Sequence, residues 1–150
     1  MNWGTAKDVL TFSFAAVGAV LGVMNTLHLL DQRRVRLRVV PKMAYPITMS
    51  GEMMQGFGCI EVTNLSAFAV TVGDVGFTGG SPKTSPRAAI VRPIIHDGKP
   101  WPRRLESRES VSVYFQAMTL RPEMTKAYAL TDCGEVAYGH GPAISALHNK

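Results

Sequence analysis

The chain has 150 residues, which leaves room for one compact domain and one extra element but not for a two-domain enzyme. Its 16 Lys and Arg against 11 Asp and Glu give a net charge of +5. Five of the bases stand between Gln32 and Met43 with no acid among them, so the remainder is neutral and lacks the spread of basic and aromatic residues that nucleic-acid binding uses.

From Val9 to Leu30 the chain carries no Asp, Glu, Lys or Arg. A helix of that length reaches about 33 Å, enough to cross a hydrocarbon core of roughly 30 Å. A signal peptide would place a small-x-small cleavage site after a shorter apolar run, where this chain has Met24-Asn25-Thr26-Leu27-His28. A soluble core helix would show one polar face, and this one is apolar nearly all round. Residues 1–32 are therefore expected to be a membrane-spanning helix and residues 33–150 a separate domain. Within the helix, Thr11, Ala15, Gly18, Gly22, Asn25 and Leu29 share one narrow stripe, and Gly18-x-x-x-Gly22 followed by Asn25 predicts a helix-association face.

Lys7 and Asp8 cancel before the span, whereas Arg33, Arg34, Arg36, Arg38 and Lys42 follow it. The positive-inside rule then predicts a single-pass protein with its N-terminus out and its C-terminal domain cytoplasmic, the five bases meeting lipid headgroups. With hardly any linker between Leu30 and Val35, the domain is expected close to the bilayer.

Beyond the span the pattern turns to period two. Val35, Leu37 and Val39 alternate with Arg36, Arg38 and Val40. Short half-buried strands are predicted at Ile60–Thr63, Val70–Gly73 and Val111–Phe115, and a hairpin joins Ala127–Leu130 to Val136–Tyr138 through Asp132-Cys133-Gly134-Glu135. Residues 87–95 read as an edge strand because of Pro93, and residues 142–148 as a terminal helix with Pro142 in its first turn. Residues 41–58, 78–86 and 96–110 read as irregular. The expected fold is mainly β, an antiparallel immunoglobulin-like β-sandwich of about seven strands preceded by one long N-terminal α-helix.

The arrangement of a greasy helix, the Arg36-x-Arg38 strand, Ile60-Glu61-Val62-Thr63-Asn64, the run from Val70 to Phe77, and Arg104-Leu105-Glu106 before Ser110–Phe115 resembles small uncharacterised membrane-anchored β-sandwich proteins of bacteria and their phages. The resemblance covers most of the chain and carries no signature residue. It implies an architecture and a cytoplasmic or virion-associated setting.

The chain holds no nucleophile elbow, phosphate-binding loop, zincin helix or dinucleotide fingerprint. The glycines at 56, 58, 73, 76, 79 and 80 lie in or beside β segments, where bulges and turns explain them. His28, His96, His140 and His148 are scattered, and Met43, Met49, Met53 and Met54 form a thioether-rich stretch without a paired Cys or His, so no metal or cofactor is expected. Glu106 with Glu109 and Asp132 with Glu135 flank predicted turns, where ordinary pKa values are expected and no catalytic residue is assigned. Cys59 and Cys133 are expected to be free thiols, a disulfide staying open should the domain lie outside. Trp101, Arg103 and Arg104, on a proline-stiffened loop, are either a candidate partner contact or a core cap with solvated arginines. The expected function is a membrane-tethered, non-catalytic interaction or assembly module, acting on the lipid bilayer, on copies of itself or on another membrane protein. The alternatives are a structural component of a virion or other large assembly, and an enzyme with an unrecognised site.

Overall fold

The computed structural model describes residues 3–45, 47, 49–51, 56–80, 86–116 and 120–148, with side chains from residue 11 onward. The chain divides into two compact units, Met1–Arg34 and Val35–Lys150.

The first unit is a single helix, α1 (Trp3–Gln32). Its segment Thr11–Gln32 has a mean hydropathy of 1.6 and no buried residue, so it is long and apolar enough to cross a membrane. The Thr26 hydroxyl donates to the Gly22 carbonyl (2.9 Å), which satisfies a polar group within the helix itself. The helix ends in tightened turns, Arg33 N–H donating to Leu30 and Arg34 N–H to Asp31.

The second unit is mainly β. Its strands are β1 (Leu37–Ala44), β2 (Phe57–Asn64), β3 (Val70–Thr78), β4 (Arg87–Ala89), β5 (Arg103–Leu105), β6 (Ser110–Gln116), β7 (Lys126–Thr131) and β8 (Val136–Gly139), followed by a short helix α2 (Pro142–His148). All pairings are antiparallel. One sheet has the order β1-β2-β6, the other β4-β3-β7-β8 with β5 also beside β3, and together they form a two-layer sandwich. Alternation sets the faces. In β1, Val39 is buried inward while Arg38 and Lys42 point out, as the period-two reading requires. Ile60, Val62, Val113 and Phe115 from the first sheet meet Val72, Val75, Phe77 and Leu105 from the second. Each such side chain, fully buried, contributes about 1.5–3 kcal/mol. Ile144 and Leu147 of α2 complete this core, and α2 packs on β1.

Several boundaries depart from expectation for identifiable reasons. β1 continues through Pro41, which is tolerated because β1 is an edge strand. The expected edge strand over 87–95 is only three residues long; beyond it the chain leaves the second sheet, and Ile94 forms an isolated bridge with Tyr114 of β6. β5 falls inside the stretch read as irregular, which brings the described strands to eight. Gly73 sits at a bulge where the β3/β7 register shifts between Val72 and Asp74, and Gly134 occupies the left-handed position of the β7–β8 turn at φ 90°.

Candidate functional site

The loop carrying Trp101, Arg103 and Arg104 is anchored from two sides. The bulge at Gly73 leaves its carbonyl outside the ladder, and Trp101 Nε1 donates to it at 3.0 Å. On the other side, the fully buried Asn64 side chain donates to the carbonyls of Phe68 (2.8 Å) and Leu105 (3.1 Å) and accepts the Ser66 N–H (2.9 Å). No role is legible for Asn64 in the sequence; its amide is what ties β2, β5 and the 65–68 turn together.

Arg103 corrects the expectation of a solvated or partner-facing arginine. It is 4 % exposed, because β5 points it inward beside Leu105. Its Nη2 reaches Asp97 Oδ2 at 2.7 Å and Glu109 Oε1 at 3.2 Å, whereas Nε and Nη1 have no acceptor among the described residues. Arg104 is exposed and pairs with Glu106 at 3.1 Å, and Trp101 is half-buried against the core. A partner can touch Trp101 and Arg104 here, but not Arg103.

Glu109 likewise departs from the ordinary pKa expected of it, and Asp97, on which no expectation rested, behaves in the same way. Glu109 Oε2 accepts the Glu106 N–H at 2.8 Å and Asp97 Oδ1 accepts the Lys99 N–H at 3.1 Å. Those backbone donors first, with Arg103 and Lys99 adding to them, hold both carboxyls below the usual carboxylate range. Beside them lies a small polar hollow of about 200 Å³, lined by His96, Asp97, Ser110, Ser112 and Tyr114, in which the His96 ring packs edge-on to Tyr114 at 4.7 Å.

A second hollow lies at the open edge of the sandwich. The opposite edge is closed where β8 and α2 pack on β1. Here, among the described residues, β4 and β6 end their sheets without pairing to each other, and residues 90–93 cross from one to the other. Beneath this strap is a cleft of about 370 Å³ lined by Phe77, Ala88, Ala89, Ile90, Val91, Arg92, Phe115 and Gln116. Phe77 and Phe115 form its floor, their rings meeting edge-to-face at 5.4 Å. Local patterning carries no sign of it, since it depends on two edges that are distant along the chain.

The remaining candidates are dispersed. A Cβ added at Gly18 or Gly22 would meet nothing, so that stripe of α1 is open within one copy of the chain, and Asn25 stands exposed beside it. Arg33, Arg34, Arg36 and Arg38 are exposed, and Lys42 is paired with Glu61 across β1 and β2. Cys59 is buried and Cys133 exposed, both as free thiols. Met43 is half-buried in β1 and Met49 is exposed, while Met53 and Met54 lie outside the described residues. His148 contacts the Met124 carbonyl, and His140 is exposed ahead of α2. No protein-family model, curated protein or solved structure matches this chain.

Proposed function

We propose that this chain is a membrane-tethered, non-catalytic interaction or assembly module, held in a bilayer by α1 with its sandwich on the cytoplasmic side. The observation that carries this reading is the surface of α1: over Thr11–Gln32 nothing is buried, and Phe12, Phe14, Leu21, Val23 and Leu27 are each more than half exposed. In water this would be an apolar patch far larger than the few hundred Å² that soluble monomers present. In lipid it needs no cover.

Arg33, Arg34, Arg36 and Arg38 supply the charge for anionic headgroups, each worth about 1 kcal/mol near the surface, and they set the orientation. Lys42 adds less because Glu61 engages it. Gly18, Gly22 and Asn25 offer copies of the chain a close-packing face, and Trp101 with Arg104 offers another protein a contact on the sandwich.

Flotation of the full chain after an alkaline carbonate wash tests the tether. The chain should stay with the lipid, and a variant carrying Val17→Arg and Leu21→Arg should be released. Recovery of the unaltered chain as a soluble monomer would overturn the reading.

A further inference from the structure

We propose that the cleft between β4 and β6 binds a single-chain anionic amphiphile, a fatty acyl carboxylate whose tail lies along Ala88, Ile90 and Val91 and whose head pairs with Arg92. The space exists because the residue opposite Phe77 is small: Ala88 pairs with Phe77 across β3 and β4, so the two share the inner face of the sheet. The two aromatic rings below are part of the core, Phe77 being 2 % and Phe115 5 % exposed, so the apolar surface a tail would cover is that of Ala88, Ala89 and Val91, beside the flank where, among the described residues, β4 and β6 do not pair. A volume of about 370 Å³ lies at the low end of the range of about 300–1,000 Å³ for small-ligand sites, which suits one chain and not a two-chain lipid.

Charge selects the head group. Arg92 is the single charged residue among those lining the cleft, and among the described residues it makes no ion pair, whereas Arg103, Arg104 and Arg121 each have a carboxylate partner. A guanidinium presents a planar fork that matches a carboxylate with two parallel hydrogen bonds. Gln116, also at the cleft, adds an amide donor. A cationic amphiphile would meet repulsion at the same place, and a neutral one would forgo the pair.

The test uses the full chain in phosphatidylcholine nanodiscs, with methyl NMR of Ala88, Ala89, Ile90 and Val91 during titration with sodium decanoate below its micelle concentration. Saturable shifts confined to these methyls are expected, with decyltrimethylammonium at least about tenfold weaker and Arg92→Gln raising the decanoate Kd by about tenfold, as loss of a charge-assisted pair requires. Ala88→Trp, which fills the space from the strand, should abolish saturation at Ile90 while the Val62 and Val113 methyls keep their positions. Shifts that rise linearly with decanoate, equal affinity for the cationic compound, or an unchanged Kd in Arg92→Gln would each overturn the proposal.

Discussion

A Cβ placed on Gly139 would overlap the carbonyl oxygen of Val39, so the last residue of β8 lies directly against the backbone of β1. This contact joins the two sheets at their closed edge. The obstructing atom is backbone, and β1 is fixed by its ladder with β2, so the clash cannot be relieved by a rotamer change. Gly139→Ala should therefore destabilise the sandwich by about 1–3 kcal/mol. Gly18→Ala, where an added methyl meets open space, should not. Denaturant unfolding of the full chain in detergent, followed by tryptophan fluorescence, distinguishes the two.

Acid should weaken the loop at residues 96–109 in a defined direction. Asp97 and Glu109 have folded pKa values below their unfolded ones. The unfolded chain therefore takes up protons first as pH falls. The stability these groups provide is present above about pH 4.5, the higher ordinary value, and is lost progressively as pH drops through the lower folded values. The melting temperature should hold between pH 7 and 5 and fall below about pH 4.5. The double change Asp97→Asn and Glu109→Gln should lower it at neutral pH and shallow the acid limb, because the buried Arg103 guanidinium then has no anion. Arg103→Met should cost less than that double change, since it leaves an exposed and a half-buried carboxylate within reach of water instead of one buried cation unpaired. An acid limb unchanged in the double variant would show that other carboxylates dominate.

The sheets were legible wherever one face is buried and the other wet. Val35 to Val40 marks β1 by alternating an apolar face with a mostly basic one, and Pro142 opens α2 as its fixed φ allows. β5 was not legible, because Arg103-Arg104-Leu105 is short and puts an arginine on the inner face, the reverse of what patterning assumes. Nor was Pro41 a stop, since its effect depends on β1 being an edge, a fact of topology and not of local sequence. The candidate sites divide in the same way. Composition shows the apolar helix and its basic flank; the cleft under residues 90–93 and the Asn64 anchor arise from pairing between segments far apart in the chain.

The two thiols should differ in reactivity and report the side of the membrane. Cys133 is exposed in the β7–β8 turn, whereas Cys59 is buried on β2, where burial pushes its thiol above the ordinary value. One label per native chain is expected from a maleimide, and two after denaturation. In intact cells a membrane-impermeant maleimide should label Cys133 only after lysis if the sandwich is cytoplasmic. Labelling before lysis would reverse the orientation, and replacing Arg33, Arg34, Arg36 and Arg38 with Gln should scramble it.

Self-association, where it occurs through α1, should depend on Gly18 and Gly22 more than on any other pair in the span. Lipid supplies no hydrophobic drive between helices, so association rests on close backbone approach and on hydrogen bonds. The space above both glycines is open within a single copy, and Asn25, exposed one turn further on, can bond across a contact, whereas the neighbouring Thr26 already bonds to the Gly22 carbonyl of its own helix. Gly18→Ile with Gly22→Ile should abolish association by holding the helices apart. Val20→Leu with Val23→Leu, on the opposite face, should leave it intact. Asn25→Leu should cause the smaller loss, about 0.6 kcal/mol for an average interhelical hydrogen bond in lipid. A transmembrane self-association reporter carrying residues 7–34 measures all three. Retention of signal in the glycine double variant together with its loss in the Val20/Val23 variant would move the contact to the other face of the helix, and absence of signal in the unaltered segment would assign any oligomer to the sandwich.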